Sequence, residues 1–79
     1  MKDLLDYIVK NLVSKPDAVK IEEDTTSEAL NLNLTVDPED MGMVIGKSGQ
    51  TIRAIRRLLV ARAMAENSRL RVNVSLQEV

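Results

Sequence analysis

The chain has 79 residues and a formal net charge of −1, with no cysteine, no histidine and one aromatic residue, a tyrosine. This length predicts one small domain over residues 1–79. The composition excludes disulfides, thiol chemistry and histidine-based catalysis or metal binding. No apolar run approaches the ~20 residues of a membrane span and the N-terminus lacks a signal-peptide pattern, so we expect a cytoplasmic protein.

The charges are unevenly distributed along the chain. Residues 1–46 carry four lysines against ten acidic residues, whereas residues 47–79 carry seven basic residues against two acidic ones. A phosphate backbone contacts one face of a protein and not its average charge, so the basic second part favours a nucleic-acid ligand. With a single aromatic residue, the chain cannot stack bases as aromatic-rich RNA-binding sheets do.

The first half of the chain predicts one helix followed by a hairpin. Residues 3–14 have apolar side chains at helical spacing, and Pro16 is expected to end that helix. A short strand is predicted over residues 18–24. Residues 29–36 alternate strictly between apolar and polar side chains, which is typical of a strand with one buried and one wet face.

The run Asp37-Pro38-Glu39-Asp40 predicts the start of a second, short helix. Asp37 suits the N-cap and Pro38 the first helical position, while acids in the first turn favour the helix dipole. A metal site built from these three carboxylates is the alternative, but capping already explains each of them. Gly42 lies inside this helix, where a missing side chain indicates close approach by another backbone, of the protein or of a ligand.

The longest predicted helix runs from Gln50 to about Glu66. Its expected core stripe consists of Ile52, Ile55, Leu59 and Ala63. Arg53 and Arg57 are four residues apart and share a flank away from that stripe. No acidic residue occurs from position 47 to 65, so we favour a ligand-facing basic flank over a surface that only confers solubility.

Val60 and Met64 fall near the same non-core side of this helix. They are interpreted either as scattered surface residues or as a dimer contact. Residues 69–77 alternate again and predict a last strand. The element order helix, strand, strand, helix, helix, strand predicts an α+β domain in which helices cover one side of a three-stranded sheet.

Two glycines, Gly46 and Gly49, enclose Lys47 and Ser48 between the second and third predicted helices. Because glycine has no Cβ, such a loop lets a phosphate approach the backbone closely. A nucleotide-binding P-loop would need glycine at position 41, which is methionine, and would follow a strand. A purely structural turn explains the glycines but not the lysine and serine at the tip of the loop. No nucleophile–base pair is apparent, so neither enzyme activity nor a cofactor is expected.

The sequence Val44-Ile45-Gly46-Lys47-Ser48-Gly49-Gln50-Thr51-Ile52 resembles the core motif of KH domains, in which a Gly-x-x-Gly loop joins two helices. The whole chain resembles a type II KH domain, α-β-β-α-α-β with a mixed sheet, and is similar in length to the bacterial KhpA (YlqC) family of single-KH-domain RNA-binding proteins. This resemblance implies a single-stranded RNA-binding chaperone or post-transcriptional regulator. It further implies a homodimer, a larger KhpB-like KH partner, and a link to cell-length and peptidoglycan control.

On this resemblance, the loop holds an RNA backbone and an aliphatic groove holds the bases. The predicted backbone-binding residues are Gly46, Lys47, Ser48, Gly49, Gln50, Arg53 and Arg57. The predicted base groove consists of Val44, Ile45, Ile52 and Leu34. Free N–H groups at the start of the long helix would favour a phosphate. DNA stays open as a ligand, and a KH-fold protein-interaction or dimerisation module is the alternative function.

Overall fold

The computed structural model describes all 79 residues. Its regular elements are helix α1 (Lys2–Lys10), strands β1 (Lys20–Thr25) and β2 (Ala29–Val36), helices α2 (Met41–Ile45) and α3 (Gln50–Ala65), and strand β3 (Arg71–Glu78). Short 3₁₀ turns connect several of them, at Pro16–Ala18, Pro38–Asp40 and Lys47–Gly49. The predicted α+β class and element order are confirmed. None of the helices is both long enough and apolar enough to cross a membrane.

The three strands form one mixed sheet with β2 in the centre. Strand β1 pairs with β2 in antiparallel register, with Ile21 opposite Leu34, as the hairpin prediction requires. Strand β3 pairs with β2 in parallel, with Leu76 opposite Leu34. A parallel pair needs a long crossover connection. Helices α2 and α3 supply this crossover, so the loop between them lies on the only parallel connection of the fold.

The core lies between the helices and one face of the sheet. The alternation predicted for β2 is confirmed, since every second residue is buried: Leu30, Leu32, Leu34 and Val36. Leu5 and Val9 of α1 pack into the same cluster, as do Ile55, Leu59 and Ala63 of α3. Each fully buried leucine or valine stabilises the fold by about 1.5–3 kcal/mol relative to exposure. The predicted core stripe of α3 is confirmed, since Ile55, Leu59 and Ala63 are buried and Ile52 is half-buried at the start of the helix.

Helix α1 ends at Lys10, four residues earlier than the spacing predicts. The Asn11 side chain donates a hydrogen bond to the Tyr7 carbonyl at 2.7 Å and so closes the last turn. Beyond it, the backbone N–H groups of Ser14 and Lys15 do not continue the helix but donate to the Asp40 carboxylate at 2.9 and 3.1 Å. A tertiary contact therefore ends the helix before Pro16 can.

Asp40 is the only buried charged residue, with 2% of its surface exposed. Besides the two backbone bonds, it accepts a hydrogen bond from the Ser14 hydroxyl at 2.8 Å. The hydrogen bonds from Ser14 are the main reason that the pKa of Asp40 is lowered. Asp40 lies in the first turn as predicted, and its buried carboxylate also anchors the start of α2 to the segment after α1, which the sequence pattern does not indicate.

The other acids of this turn remain at the surface. The Asp37 side chain accepts from the Glu39 backbone N–H at 2.9 Å, which confirms the N-cap. The Lys15 ammonium lies 3.1 Å from the Glu39 carboxylate and 3.7 Å from that of Asp37, and these contacts raise the pKa of Lys15. The carboxylates proposed as an alternative metal site are therefore engaged in capping and ion pairing.

Of the two alternatives predicted for Gly42, close approach by another part of the protein backbone is wrong. A Cβ placed there would meet nothing within 4 Å, and the residue is exposed on α2. The glycine is consequently not required by packing within the chain.

Candidate nucleic-acid interface

The loop between α2 and α3 has an unusual backbone. Gly46 is the residue that caps the C-terminal end of helix α2, and it has φ 77° and ψ 173°. Ser48 and Gly49 follow with φ 55° and 76°, both in the left-handed region. Non-glycine residues avoid this region at a cost of about 1–2 kcal/mol, so Ser48 holds a conformation that its surroundings must support.

The two glycines of the loop are needed for different reasons. A Cβ at Gly46 would overlap the Thr51 side chain and lie 2.8 Å from the Thr51 nitrogen. A Cβ at Gly49 would meet nothing within 4 Å, so only its positive φ calls for glycine. Gly49 therefore leaves open space above the loop where a ligand atom can approach, whereas Gly46 lets α3 start close to the end of α2.

The side chains at the tip of the loop are available to a ligand. Lys47, Ser48 and Gln50 are exposed, and Lys47 forms no ion pair. An unpaired ammonium and a hydroxyl at adjacent positions are suited to hydrogen-bond a phosphate. The predicted backbone-binding residues of the tip are thus all at the surface.

Two backbone donors expected to be free are engaged within the turn. The Gly49 N–H donates to the Gly46 carbonyl at 3.1 Å, and the Gln50 N–H donates to the Lys47 carbonyl. An anion would therefore not be held by these two N–H groups. The positive end of the α3 dipole and the Lys47 charge remain as attractions for it.

The arginines of α3 fall into three groups. Arg53 donates from Nη2 to the Ser48 carbonyl at 2.8 Å and is thus tied to the loop. Arg56 and Arg57 are exposed and form neither ion pairs nor side-chain hydrogen bonds. Arg62 forms an ion pair with Glu66 at 3.2 Å, so its positive charge is compensated within the chain. The uncompensated positive charge is consequently concentrated in the half of α3 nearest the loop.

Two of the four residues predicted to form the base groove are buried, and two are partly exposed. The side chains of Val44 and Leu34 are fully buried and offer no surface to a base. Both belong to the core, because β2 alternation turns Leu34 inward and α2 packs Val44 against the same cluster. Ile45 is 37% exposed and Ile52 is half-buried, so these two remain as apolar surface beside the loop.

A second apolar surface, which the sequence did not predict, is a groove of about 370 Å³ between α3 and β3. We call it the α3–β3 groove; it is lined by Arg56, Val60, Ala63, Met64, Ser68, Leu70, Arg71, Val72 and Asn73. Val60 and Met64, the predicted dimer contact, therefore lie together on one concave surface. Sequence spacing predicts that Val60 and Met64 share one side of α3. The residues of β3 that face them across the groove are brought there by the crossover connection between β2 and β3.

Comparisons with known proteins decide the family. The family model described as KhpA/KhpB, KH domain matches residues 2–75. The chain belongs to this family. The resemblance stated from the Gly-x-x-Gly motif and the type II KH fold, with its mixed sheet and one helix-covered face, are thereby confirmed.

Relatives of this KH domain share its length. RNA-binding protein KhpA of Clostridium acetobutylicum is 47% identical over 74 residues, which cover 94% of this chain and 99% of that protein. RNA-binding protein KhpA of Chlamydia caviae is 49% identical over 77 residues, covering 98% of this chain and 94% of that protein. These relatives are named for RNA binding and not for a reaction.

Solved structures support the same fold at much lower identity. Era, crystallised with MgGDPNP and nucleotides 1506–1542 of 16S ribosomal RNA, superposes with a TM-score of 0.76 at 13% identity. The match covers 99% of this KH domain and 30% of the Era chain. Aquifex aeolicus Era Y63A bound to GDP·AlF4⁻ gives a TM-score of 0.75. At this identity the likeness concerns the fold alone.

Proposed function

We propose that this KH domain binds single-stranded RNA, with the Gly46–Gly49 loop against the sugar-phosphate backbone. The observation that carries the proposal is the exposed, unpaired Lys47 beside Ser48, followed by the exposed, unpaired Arg57 on α3. The relatives' names as RNA-binding proteins support RNA over DNA as the ligand. A cytoplasmic site of action, where bacterial transcripts are located, is part of the same proposal.

In this proposal, charge and shape have separate tasks. Lys47, Ser48 and Gln50 contact phosphates, and Arg57 flanks the backbone. Ile45 and Ile52 offer aliphatic contact to the bases, in keeping with the lack of aromatic residues. With about two to four phosphates contacted, log K should fall with log[salt] with a slope of about −1.4 to −2.8 for a single strand.

Such a small contact gives weak binding, so we propose that the domain acts as one half of a pair. Two linked sites raise apparent affinity through effective concentration. Val60 and Met64, 38% and 70% exposed on the α3–β3 groove, are the proposed contact with a second copy or with the KH domain of a larger KhpB-like protein. A role as RNA chaperone or post-transcriptional regulator in cell-length and peptidoglycan control is proposed by family resemblance.

The second candidate function is a protein-interaction module with little RNA binding. The exposed apolar side chains of the α3–β3 groove favour this second function, because a protein partner could pack against them without any RNA being bound. The two functions differ in what they require of the loop. Only RNA binding needs a positively charged tip between Gly46 and Gly49.

Fluorescence anisotropy with short labelled RNA oligonucleotides tests the proposal. We compare the wild type with the double variant Lys47→Asp/Ser48→Asp, which places two acidic side chains at the exposed tip. Both proteins should unfold at similar temperatures, since neither side chain is buried. The variant should bind at least tenfold more weakly, because two charges now repel the phosphates. Equal affinities would eliminate the loop as the RNA site.

A further inference from the structure

The Arg53 side chain has a role that its charge alone does not explain. Although it is exposed on α3, its Nη2 atom lies 2.8 Å from the Ser48 carbonyl, five residues earlier in the chain. Arg57, one helical turn further along, makes no such bond. The two arginines, which look equivalent in the sequence, therefore differ in what they contact.

The bond from Arg53 holds one end of a peptide group whose other end is also held. The peptide plane between Ser48 and Gly49 has its carbonyl bound by Arg53 and its N–H bound by the Gly46 carbonyl at 3.1 Å. Because a peptide group is planar, fixing both ends fixes its rotation. This rotation sets ψ of Ser48 and φ of Gly49, the two residues that occupy the left-handed region.

We propose that Arg53 is a positioning residue that holds the Gly-x-x-Gly loop in its binding shape, and that it is not itself a phosphate contact. A serine is unstable in the left-handed region, so Ser48 would leave it unless its surroundings hold it there. A strong hydrogen-bond donor on the Ser48 carbonyl provides this restraint. A guanidinium supplies such a donor at a fixed angle. This inference rests on the proposed function of the loop and changes the role assigned to Arg53 in the sequence-based prediction.

A matched pair of variants separates holding the loop from supplying charge. Arg53→Gln and Arg57→Gln each remove one positive charge from an exposed position of α3. The first readout is ¹⁵N relaxation of the Ser48 and Gly49 amides in the free protein. We expect order parameters near ~0.85 in the wild type and in Arg57→Gln, and a fall toward ~0.6 in Arg53→Gln.

The second readout is the salt dependence of RNA binding by anisotropy. A residue that contacts a phosphate contributes about 0.7 to the slope of log K against log[salt]. Arg57→Gln should therefore make the slope shallower by about 0.7. Arg53→Gln should keep the wild-type slope and bind about threefold to tenfold more weakly, as expected for the loss of one hydrogen bond.

Two results would overturn the assignment of Arg53. One is an unchanged order of the Ser48 and Gly49 amides in Arg53→Gln, and the other is a slope reduced by about 0.7 in that variant. If the wild type binds no RNA at all, the proposed function fails. The relaxation measurement still decides whether Arg53 holds the loop, because it uses the free protein.

Discussion

Replacing each of the three glycines by alanine should change stability in three different ways. At Gly46, alanine must adopt φ 77° and ψ 173° and must also displace Thr51, whose nitrogen lies 2.8 Å from the new Cβ. Backbone strain of about 1–3 kcal/mol and overpacking of similar size give a loss of about 2–6 kcal/mol. A domain of 79 residues is stable by about 4–12 kcal/mol, so this substitution removes a large part of the total.

The other two glycines are matched controls. At Gly49, alanine meets no atom within 4 Å and bears only the cost of a positive φ, about 1–2 kcal/mol. At Gly42, alanine occupies open space on a helix and should stabilise the domain by about 0.4–1 kcal/mol. The ordering from least to most stable is therefore Gly46→Ala, Gly49→Ala, wild type, Gly42→Ala.

Urea unfolding followed by far-UV circular dichroism at 25 °C measures this series directly, because midpoints can be compared at a common m-value. Equal losses at Gly46 and Gly49 would show that contact with Thr51 does not constrain the loop. A destabilised Gly42→Ala would contradict the open environment of α2 at that position.

The remaining predictions concern the Asp40 anchor and the α3–β3 groove. Asp40→Asn should lower the melting temperature by roughly 5 °C or more at pH 7, because its buried bonds to Ser14 and Lys15 are weakened. The folded-state pKa of Asp40 is lowered, so its contribution is complete above the unfolded value near 3.8 and is lost as pH falls below it. The variant should therefore lose less stability than the wild type between pH 4 and pH 2, and equal acid sensitivity would refute this. In analytical ultracentrifugation, Met64→Glu should convert the proposed dimer to a monomer. Leu58→Glu, an exposed position outside the groove, should leave the dimer intact. A dimer that persists in Met64→Glu excludes this contact.

Local patterns in the sequence predicted those parts of the fold that depend on neighbouring residues. The alternation in β2 and the apolar stripe of α3 are periodic, and each needs only one buried face to be recognised. The Asp37 cap and the turn at Gly46 are likewise set within a few residues. The Gly-x-x-Gly loop could be identified because its residue types are restricted by backbone conformation.

Contacts between distant segments could not be predicted in this way. The bond from Ser14 to Asp40 joins residues 26 apart and ends α1 early, and nothing in the spacing of apolar residues signals it. The burial of Val44 depends on how α2 packs beside α3 and against the common core. The wall of the α3–β3 groove exists only because β3 returns parallel to β2.

The bond between Arg53 and Ser48 is a different case, because it is local and was still missed. Its geometry depends on the left-handed conformation of Ser48, which a serine rarely adopts. Helical periodicity places Arg53 and Arg57 on one flank, and only the bent path of the loop brings the Ser48 carbonyl within reach of the first of them.

Mapping a single-stranded RNA octamer pool onto the backbone amides by ¹H–¹⁵N NMR titration tests the central claim most directly. The amides of residues 46–50 and of the adjacent turn of α3 should shift in a saturable, salt-sensitive manner. Strand β1 (Lys20–Thr25) carries three acidic residues that repel phosphates, so its amides should not shift. Binding that shifts other surfaces and leaves residues 46–50 unchanged would contradict the assignment of the loop as the RNA-backbone site.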